Sequence, residues 1–466
     1  MSGLDISHAP SRPATSVSRT QPVSLWRRLL FLAFVLAYAA AFYDAYLSYL
    51  NPVWSYFGFT YEPLDANRTA VGVFLLVVTA LLQCPVLSSP QALIAFLLYA
   101  NVYIPGLVTS LLLRKDALDA YGPFLLAISI VFACVGYALS RRPPAWTAQP
   151  QRGEFSPALG RFTVATWVVC MLALFANYHS VMGFSSLDDH AMVYEQRVAG
   201  TADSPLLSYL QTYFSNVFNP TLLLIGLTQR RYWMVLGGLA GGVTMYAITA
   251  QRTILLLPVI LILLFVLLNG RHSRHGASEI ILSVLTLGMV VSSRFEDANL
   301  VAALFALLLT FRTIAIPGLT LSQYEDLFSQ IGHTYWTHVK GVDLLVTKPA
   351  YALSDPLWPN LGYIVGDQTY NNPIFNVNAN LFAGDGIAAA GAAGVLFIGL
   401  VFAGWLWLLA KASKGWTPLF STLALLPVAI SLTNGNFFTT MLSFGGIFWL
   451  LVLHYAKPAS GSAQLR

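Results

Sequence analysis

Leu300-Val301-Ala302-Ala303-Leu304-Phe305-Ala306-Leu307-Leu308-Leu309-Thr310-Phe311 decides how the rest of the chain is read. The run is apolar enough for a bilayer but only twelve residues long. A helix crossing the hydrocarbon core needs about 20 residues, and at least about 17. If it crosses, every later segment changes side. If it does not, the polar stretch 294–386 stays on the side where Arg294 begins it.

The surrounding chain settles the class. Of 466 residues, 56% are hydrophobic and 10% charged, with a mean hydropathy of +0.65. Soluble proteins carry about 25% charged residues, so the composition describes an all-α polytopic membrane protein. Apolar runs near spanning length cover 29–50, 69–87, 91–113, 123–140, 162–182, 206–227, 232–248, 253–268, 278–293, 387–410, 418–432 and 438–455, twelve in all. The segment 1–24, rich in Ser, Pro and Arg, reads as a disordered tail without the apolar core of a cleaved signal peptide; 456–466 reads as a second tail. Cys84, Cys134 and Cys170 lie inside apolar runs, and no CxxC or Cys/His spacing suggests a disulfide framework or a metal site. The net charge of +5 does not point to a nucleic-acid partner.

Basic residues in short loops mark the cytoplasmic face. With the N-terminus inside and twelve spans, the inner loops hold Arg12, Arg19, Arg27, Arg28, Arg141, Arg142, Arg152, Arg161, Arg230, Arg231, Arg271, Arg274, Lys411, Lys414, Lys457 and Arg466, sixteen of the 25 basic residues. A thirteenth span would invert Lys411 and Lys414 and weaken this bias. The run 300–311 is therefore read as an interfacial or re-entrant helix, and 294–386 as a large extracytoplasmic loop with interfacial helices. Irregular backbone at membrane depth is tolerated where it is buried in protein or lines a wet cavity, which suits a site. The resulting organisation is a tail 1–24, nine spans over 25–293 with an outer loop at 183–205, the large outer loop 294–386, three spans over 387–455 and a tail 456–466.

Four arginines then lie at the outer face: Arg197, Arg252, Arg294 and Arg312. A guanidinium is permanently charged, and its planar fork of donors fits phosphate oxygens. The plainer reading is a nearby acid or a lipid phosphate for each. Arg252 follows a tight turn and opens a helix, whose N-terminus itself favours anions. Arg312 precedes Ile316-Pro317-Gly318, which reads as a helix end. His333 and His338 are five residues apart, a spacing that does not align on one helix face for a metal. Either imidazole suits general-base work near neutral pH, or a loop hydrogen bond. Asp385, with Asp367 and Glu195, is the alternative base. The aromatic residues of the loop suit either an interfacial belt or sugar stacking.

Several segments together resemble the Wzy-type O-antigen polymerases, oligosaccharide repeat-unit polymerases of the bacterial inner membrane. They are Val193-Tyr194-Glu195-Gln196-Arg197, Ala250-Gln251-Arg252-Thr253, Arg312-Thr313-Ile314-Ala315-Ile316-Pro317-Gly318 with Tyr324 and Phe328, Thr334-Tyr335-Trp336-Thr337-His338-Val339, and Asn378-Ala379-Asn380-Leu381-Phe382-Ala383-Gly384-Asp385-Gly386 with Gly391 and Gly394. The resemblance runs from about 183 to 394, and the order of these loose motifs carries it. It implies a GT-C-like, metal-independent, inverting glycosyltransferase without a cofactor. Donor and acceptor would both be undecaprenyl-pyrophosphate-linked oligosaccharides, joined at the periplasmic face of the inner membrane, with both termini cytoplasmic. Membrane lipid, a chain-length regulator and a flippase are the implied partners. Arg197, Arg252 and Arg312 match the pyrophosphate-binding positions, Arg294 less closely. His338 or His333, with Asp385, takes the catalytic part. Tyr194, Tyr324, Tyr335, Trp336, Asn378 and Asn380 are the candidates for contact with the glycan. The chain contains no DxD motif or phosphate-binding glycine loop, which fits a lipid-linked donor. The rival readings are an O-antigen ligase, which passes polymer to lipid A-core, and a lipid-linked oligosaccharide flippase or transporter, which would place charges deep in the bundle.

Overall fold

The computed structural model of the protein describes residues 23–141, 157–184, 190–202, 204–270, 273–295 and 300–456. The expected tails, apart from Val23, Ser24 and Ala456, and basic residues such as Arg142, Arg152 and Arg271 lie outside the described residues. Among the described residues every regular element is helical. Among these described residues, eight helical runs are long and apolar enough to cross a membrane, or nine if one bent pair is a single span. These features make it a polytopic helical membrane protein.

The chain starts with α1 (Leu25–Phe57), α2 (Ala66–Leu82), α3 (Pro90–Leu113) and α4 (Ala117–Arg141). Then come α5 (Pro157–Tyr178), the short α6 (His190–Ala199), α7 (Pro205–Tyr213) and α8 (Asn219–Gln229), the last two joined by the π-helical Phe214–Phe218. Next are α9 (Tyr232–Thr249), α10 (Arg252–Asn269) and α11 (Ala277–Phe295). The run α12 (Leu300–Ile331) follows, then short α13 (Ala350–Ser354) and α14 (Leu361–Tyr370). The chain closes with α15 (Ala383–Ala412), α16 (Pro418–Asn434), α17 (Phe437–Ser443) and α18 (Gly446–Tyr455), with a 53° bend between the last two. Each of the twelve apolar runs read from the sequence is helical over most of its length, but 83–87 and 179–182 are not helical, 438–455 is broken at 444–445, and α2 and α16 are short for a span.

Local chemistry sets several of the starts. Ser24, Asp65, Ser89 and Ser204 cap α1, α2, α3 and α7 by accepting the N–H three residues on, the role short oxygen side chains favour. Pro90 and Pro205 stand in the first turn, where a missing N–H costs nothing. The central post is α3, whose spanning window is 94% buried, against 22% for α5 at the edge. Gly318 of α12 meets α3 so closely that a Cβ would come within 2.6 Å of the Pro105 carbonyl carbon. Small residues allow such approach between apolar helices, and the Ser110 and Ser322 hydroxyls bond there at 2.8 Å.

The two ends of the bundle are distinct. At one end, Arg28 bonds the Leu81 carbonyl and, at 2.9 Å, Ser140. Arg27 lies 3.6 Å from Glu279 there, and Ser278 bonds the Pro85 carbonyl. At the other, Arg68 bonds Asp65 and the Leu111 and Arg114 carbonyls, and Arg294 bonds Asp44.

The reading of 300–311 as a separate interfacial segment is corrected in its extent. It is the first part of the 32-residue α12. Ile316-Pro317-Gly318 does not end the helix. A proline lacks its N–H and crowds the carbonyl four residues back, but the preceding turns Ala306–Ala315 are π-helical, a wider winding that absorbs this. By length and apolarity α12 could span, yet its contacts bring it back. Near its start Thr310 bonds Ser292 at 2.9 Å and Phe311 stacks on Trp54 at 3.9 Å. Near its finish Asp326 bonds Tyr121 at 2.8 Å and Arg114 at 3.4 Å. All these partners belong to the end opposite Arg27 and Arg28. The stretch after α12 docks at that end too, where the Tyr370 hydroxyl donates to the Phe57 carbonyl at 2.7 Å.

Candidate functional site

The site is built on a break in α15. Ala390 (φ −161°, ψ 35°) and Gly391 (φ 57°, ψ −140°) leave helical geometry. The π-helical start of α15, Ala383–Ile387, folds back on its continuation. A Cβ on Gly394 would come within 2.1 Å of the Gly386 oxygen. A break frees carbonyls that must find donors. The loop after α12 supplies them: Thr334 N–H donates to the Ala388 carbonyl at 2.8 Å and Tyr335 N–H to Ala389 at 2.9 Å. Holding this dock, Tyr335 (φ 48°) and Trp336 (φ 59°) both take left-handed backbone. Such strain in bulky residues persists only where the surroundings enforce it, and it gathers at functional sites.

A buried polar network does the enforcing. Asp385 is fully buried and His338 nearly so, at 0% and 3% side-chain exposure. His338 Nε2 lies 3.3 Å from Asp385 Oδ1, and its Nδ1 is 2.9 Å from the Thr334 hydroxyl. A neutral imidazole with its proton on Nε2 satisfies both, donating to the carboxylate and accepting from the threonine. Asp385 Oδ2 accepts the N–H of Phe437, the first residue of α17, where a helix N-terminus favours negative charge. Trp336 Nε1 donates to the Asp385 carbonyl at 2.8 Å. Three separate segments thus meet on one carboxyl residue.

His333 differs from His338. It is half-buried, and its Nδ1 is enclosed without a hydrogen-bond partner among the described residues. A Cβ on Gly391 would touch its ring at 3.4 Å, so the ring lies against the break itself. Burial pushes its pKa below the ordinary histidine value of 6.5, because the charged form is disfavoured away from water. Burial thus favours the neutral form, the form a general base needs. Of the two histidines named from sequence, His338 has both ring nitrogens engaged, to Thr334 and Asp385, whereas His333 Nδ1 has no partner among the described residues.

The other candidates divide. Tyr335 is exposed and Trp336 partly so beside the break, and Asn378 is exposed on the loop before α15. Tyr324 and Asn380 are corrected. Both are wholly buried. Tyr324 donates to the Val377 carbonyl at 3.1 Å. Asn380 donates to the Pro317 carbonyl at 2.8 Å and accepts from Phe382 and Ala383 N–H. They hold protein chain, out of reach of a sugar. Tyr194 falls in α6, and its side chain lies outside the described residues.

Arg252 is the first residue of α10, as the sequence suggested, after a left-handed Ala250 (φ 49°) that ends α9. Arg197 is in the last turn of α6. The two belong to one corner, because neighbouring Gln196 donates to the Ala247 carbonyl near the end of α9. An open cleft of about 290 Å³ adjoins it, lined by Gly183, Phe184, Glu195 and Gln196 among others. Arg312 is exposed in the π-helical turns of α12, a different part of the bundle. Arg294 is corrected as an anion ligand: both Asp44 oxygens accept from it, at 2.7 and 2.9 Å, so its charge is already matched.

Sequence reasoning missed Asp44 as that partner, Thr334 as the brace of His338, and the Phe437 N–H. Asn434-Gly435-Asn436, between the apolar runs 418–432 and 438–455, marks the interruption before α17. No protein-family model matches the chain, and neither a curated protein nor a solved structure does.

Proposed function

We propose that the protein is a glycosyltransferase of the O-antigen polymerase type, embedded in the bacterial inner membrane with its site toward the periplasm. It would move a growing glycan from undecaprenyl pyrophosphate to a hydroxyl of an incoming lipid-linked repeat unit. The acceptor oxygen forms the new bond to the donor's anomeric carbon, and its proton passes to His333. The bond from that carbon to the pyrophosphate oxygen breaks with inversion, and the electron pair leaves with undecaprenyl pyrophosphate. Arg197 and Arg252 offset the leaving charge, which preorganised donors do best where water is excluded, and Arg312, in its separate part of the bundle, meets the pyrophosphate of the other lipid-linked substrate. His338 and Asp385 keep the loop in place. The observation that carries this reading is the neutral, uncommitted His333 fixed against the helix break, at the end opposite Arg27 and Arg28.

The test is the lipopolysaccharide banding pattern of a deletion strain complemented with Arg252→Ala, Arg312→Ala or His333→Gln. Loss of polymerase leaves core carrying a single repeat unit. A normal ladder from all three variants rejects the site. Bare core with polymer retained on the lipid carrier would identify a ligase.

One observation favours a second reading, movement of lipid-linked oligosaccharide. Asp385 is a fully buried carboxylate between two interrupted helices, a recurrent construction of transport sites. That reading predicts bare core with neither polymer nor a single unit delivered.

A further inference from the structure

The turn that follows the docked loop carries an apolar tip. Leu344 and Leu345 are 85% and 89% exposed, far more than a water-facing loop needs. The turn is built rather than loose. Residues Val342–Leu344 form a 3-10 helix after Gly341, whose φ of 96° sets the reversal. Leu345 N–H donates to the Val342 carbonyl at 2.9 Å. Asp343 caps the turn by accepting Gly341 N–H at 3.2 Å, and Lys348 matches its charge at 3.2 Å. With that pair matched, exposed Lys340 gives the turn its excess positive charge.

Its surroundings indicate what covers the leucines. Trp336, two residues before His338, packs on Phe397 at 4.7 Å. Phe397 and Leu400 belong to a candidate span, α15, and are themselves exposed. Trp336 also leads into the turn: its carbonyl accepts the Val339 N–H at 2.8 Å, and the Val339 carbonyl accepts the Val342 N–H at 3.0 Å. An apolar tip joined to an indole that packs on a candidate span, with a lysine four residues away in sequence, is the composition that settles in a lipid interface.

We propose that the turn 342–346 is a membrane anchor. Leu344 and Leu345 enter the boundary between headgroups and acyl chains of the leaflet at this end of the bundle, and Lys340 meets the lipid phosphates. The occupant is the lipid surface itself, and the inference does not depend on the proposed reaction. Its consequence is that the loop carrying His333 and His338 is held at both ends, by the helix break and by lipid.

Spin labelling of the full chain in nanodiscs tests this. Cys134, the exposed native cysteine, is replaced by alanine, and a nitroxide is placed at Leu345→Cys or, as a control, at exposed Gln368→Cys. Collision with oxygen and with a water-soluble nickel chelate is measured in phosphatidylcholine discs and in discs containing phosphatidylglycerol. The expected result is that the label at 345 favours oxygen over nickel and the label at 368 favours nickel, with 345 more protected in the anionic discs. Adding Lys340→Gln should remove that last difference. Equal nickel access at 345 and 368 overturns the proposal. So does dipolar coupling between labels at 345 on two chains, which would assign the leucines to a second copy.

Discussion

His338 and Asp385 face each other across 3.3 Å with almost no solvent on either side chain. The carboxylate also receives the first N–H of α17, so the pair ties the loop after α12, the start of α15 and the α16–α17 junction together. Removing the acceptor of a buried hydrogen bond costs about 1–3 kcal/mol, because the donor is left unsatisfied. Asp385→Ala should therefore lower stability by about that much, and Asp385→Asn by less, since an amide oxygen still accepts one bond. Thermal unfolding of purified protein in one detergent checks the order. Equal melting of wild type and both variants would remove the carboxylate from the structural argument.

Gly391 is the hinge on which this tie depends. Its φ of 57° with ψ of −140° is a conformation open to glycine and costly to other residues, by about 1–3 kcal/mol. The space a methyl would fill is ordinary contact with the His333 ring at 3.4 Å, so the penalty comes from the backbone. Gly391→Ala should insert normally, melt lower and make less polymer. Gly404→Ala, with nothing near its added carbon, should match wild type in both measurements.

The sequence disclosed the fold class because apolar run length and charge placement follow directly from the bilayer. It also placed Arg252 at a helix start, since the turn before it leaves little choice. It could not show that α12 runs through Pro317, because the π-helical winding that absorbs a proline has no residue signature of its own. Tyr324 and Asn380 looked available for sugar because polarity in a loop is visible in sequence and burial is not. The two histidines were indistinguishable for the same reason: what separates them is the Asp385 carboxylate, brought from 47 residues away by packing, with the local Thr334 hydroxyl on the other nitrogen.

Arg294 illustrates how a partner changes a role. Its bond to Asp44 joins the end of α11 to α1, with side chains 56% and 42% exposed. Exposed pairs contribute about 0–1 kcal/mol. Arg294→Ala and Asp44→Ala should each destabilise by no more than about that, and the double variant by less than the sum of the two. Polymer length in the Arg294→Ala strain should stay normal while Arg252→Ala abolishes it. If Arg294→Ala instead fails like Arg252→Ala, the salt bridge is not its purpose.

His333 makes the pH dependence of the reaction a direct test of its role. Burial favours its neutral form and places its pKa below 6.5, and a general base acts when neutral. The acid limb of kcat/KM should therefore fall below pH 6.5, with more than half of the activity retained at the pH where an ordinary histidine would already be half protonated. The sign for stability runs the same way. The unfolded chain binds this proton more readily than the folded one, so stability should drop as the pH falls below about 6.5, and the wild type should lose more than His333→Gln. His333→Gln should also lose about 10²–10⁴-fold in rate and flatten the acid limb. His338→Gln should melt lower yet keep the limb where it was. Turnover of a lipid-linked repeat unit across pH, with melting of each variant alongside, reads both effects. If the limb moves with His338 and not with His333, the two histidines have been assigned the wrong way round.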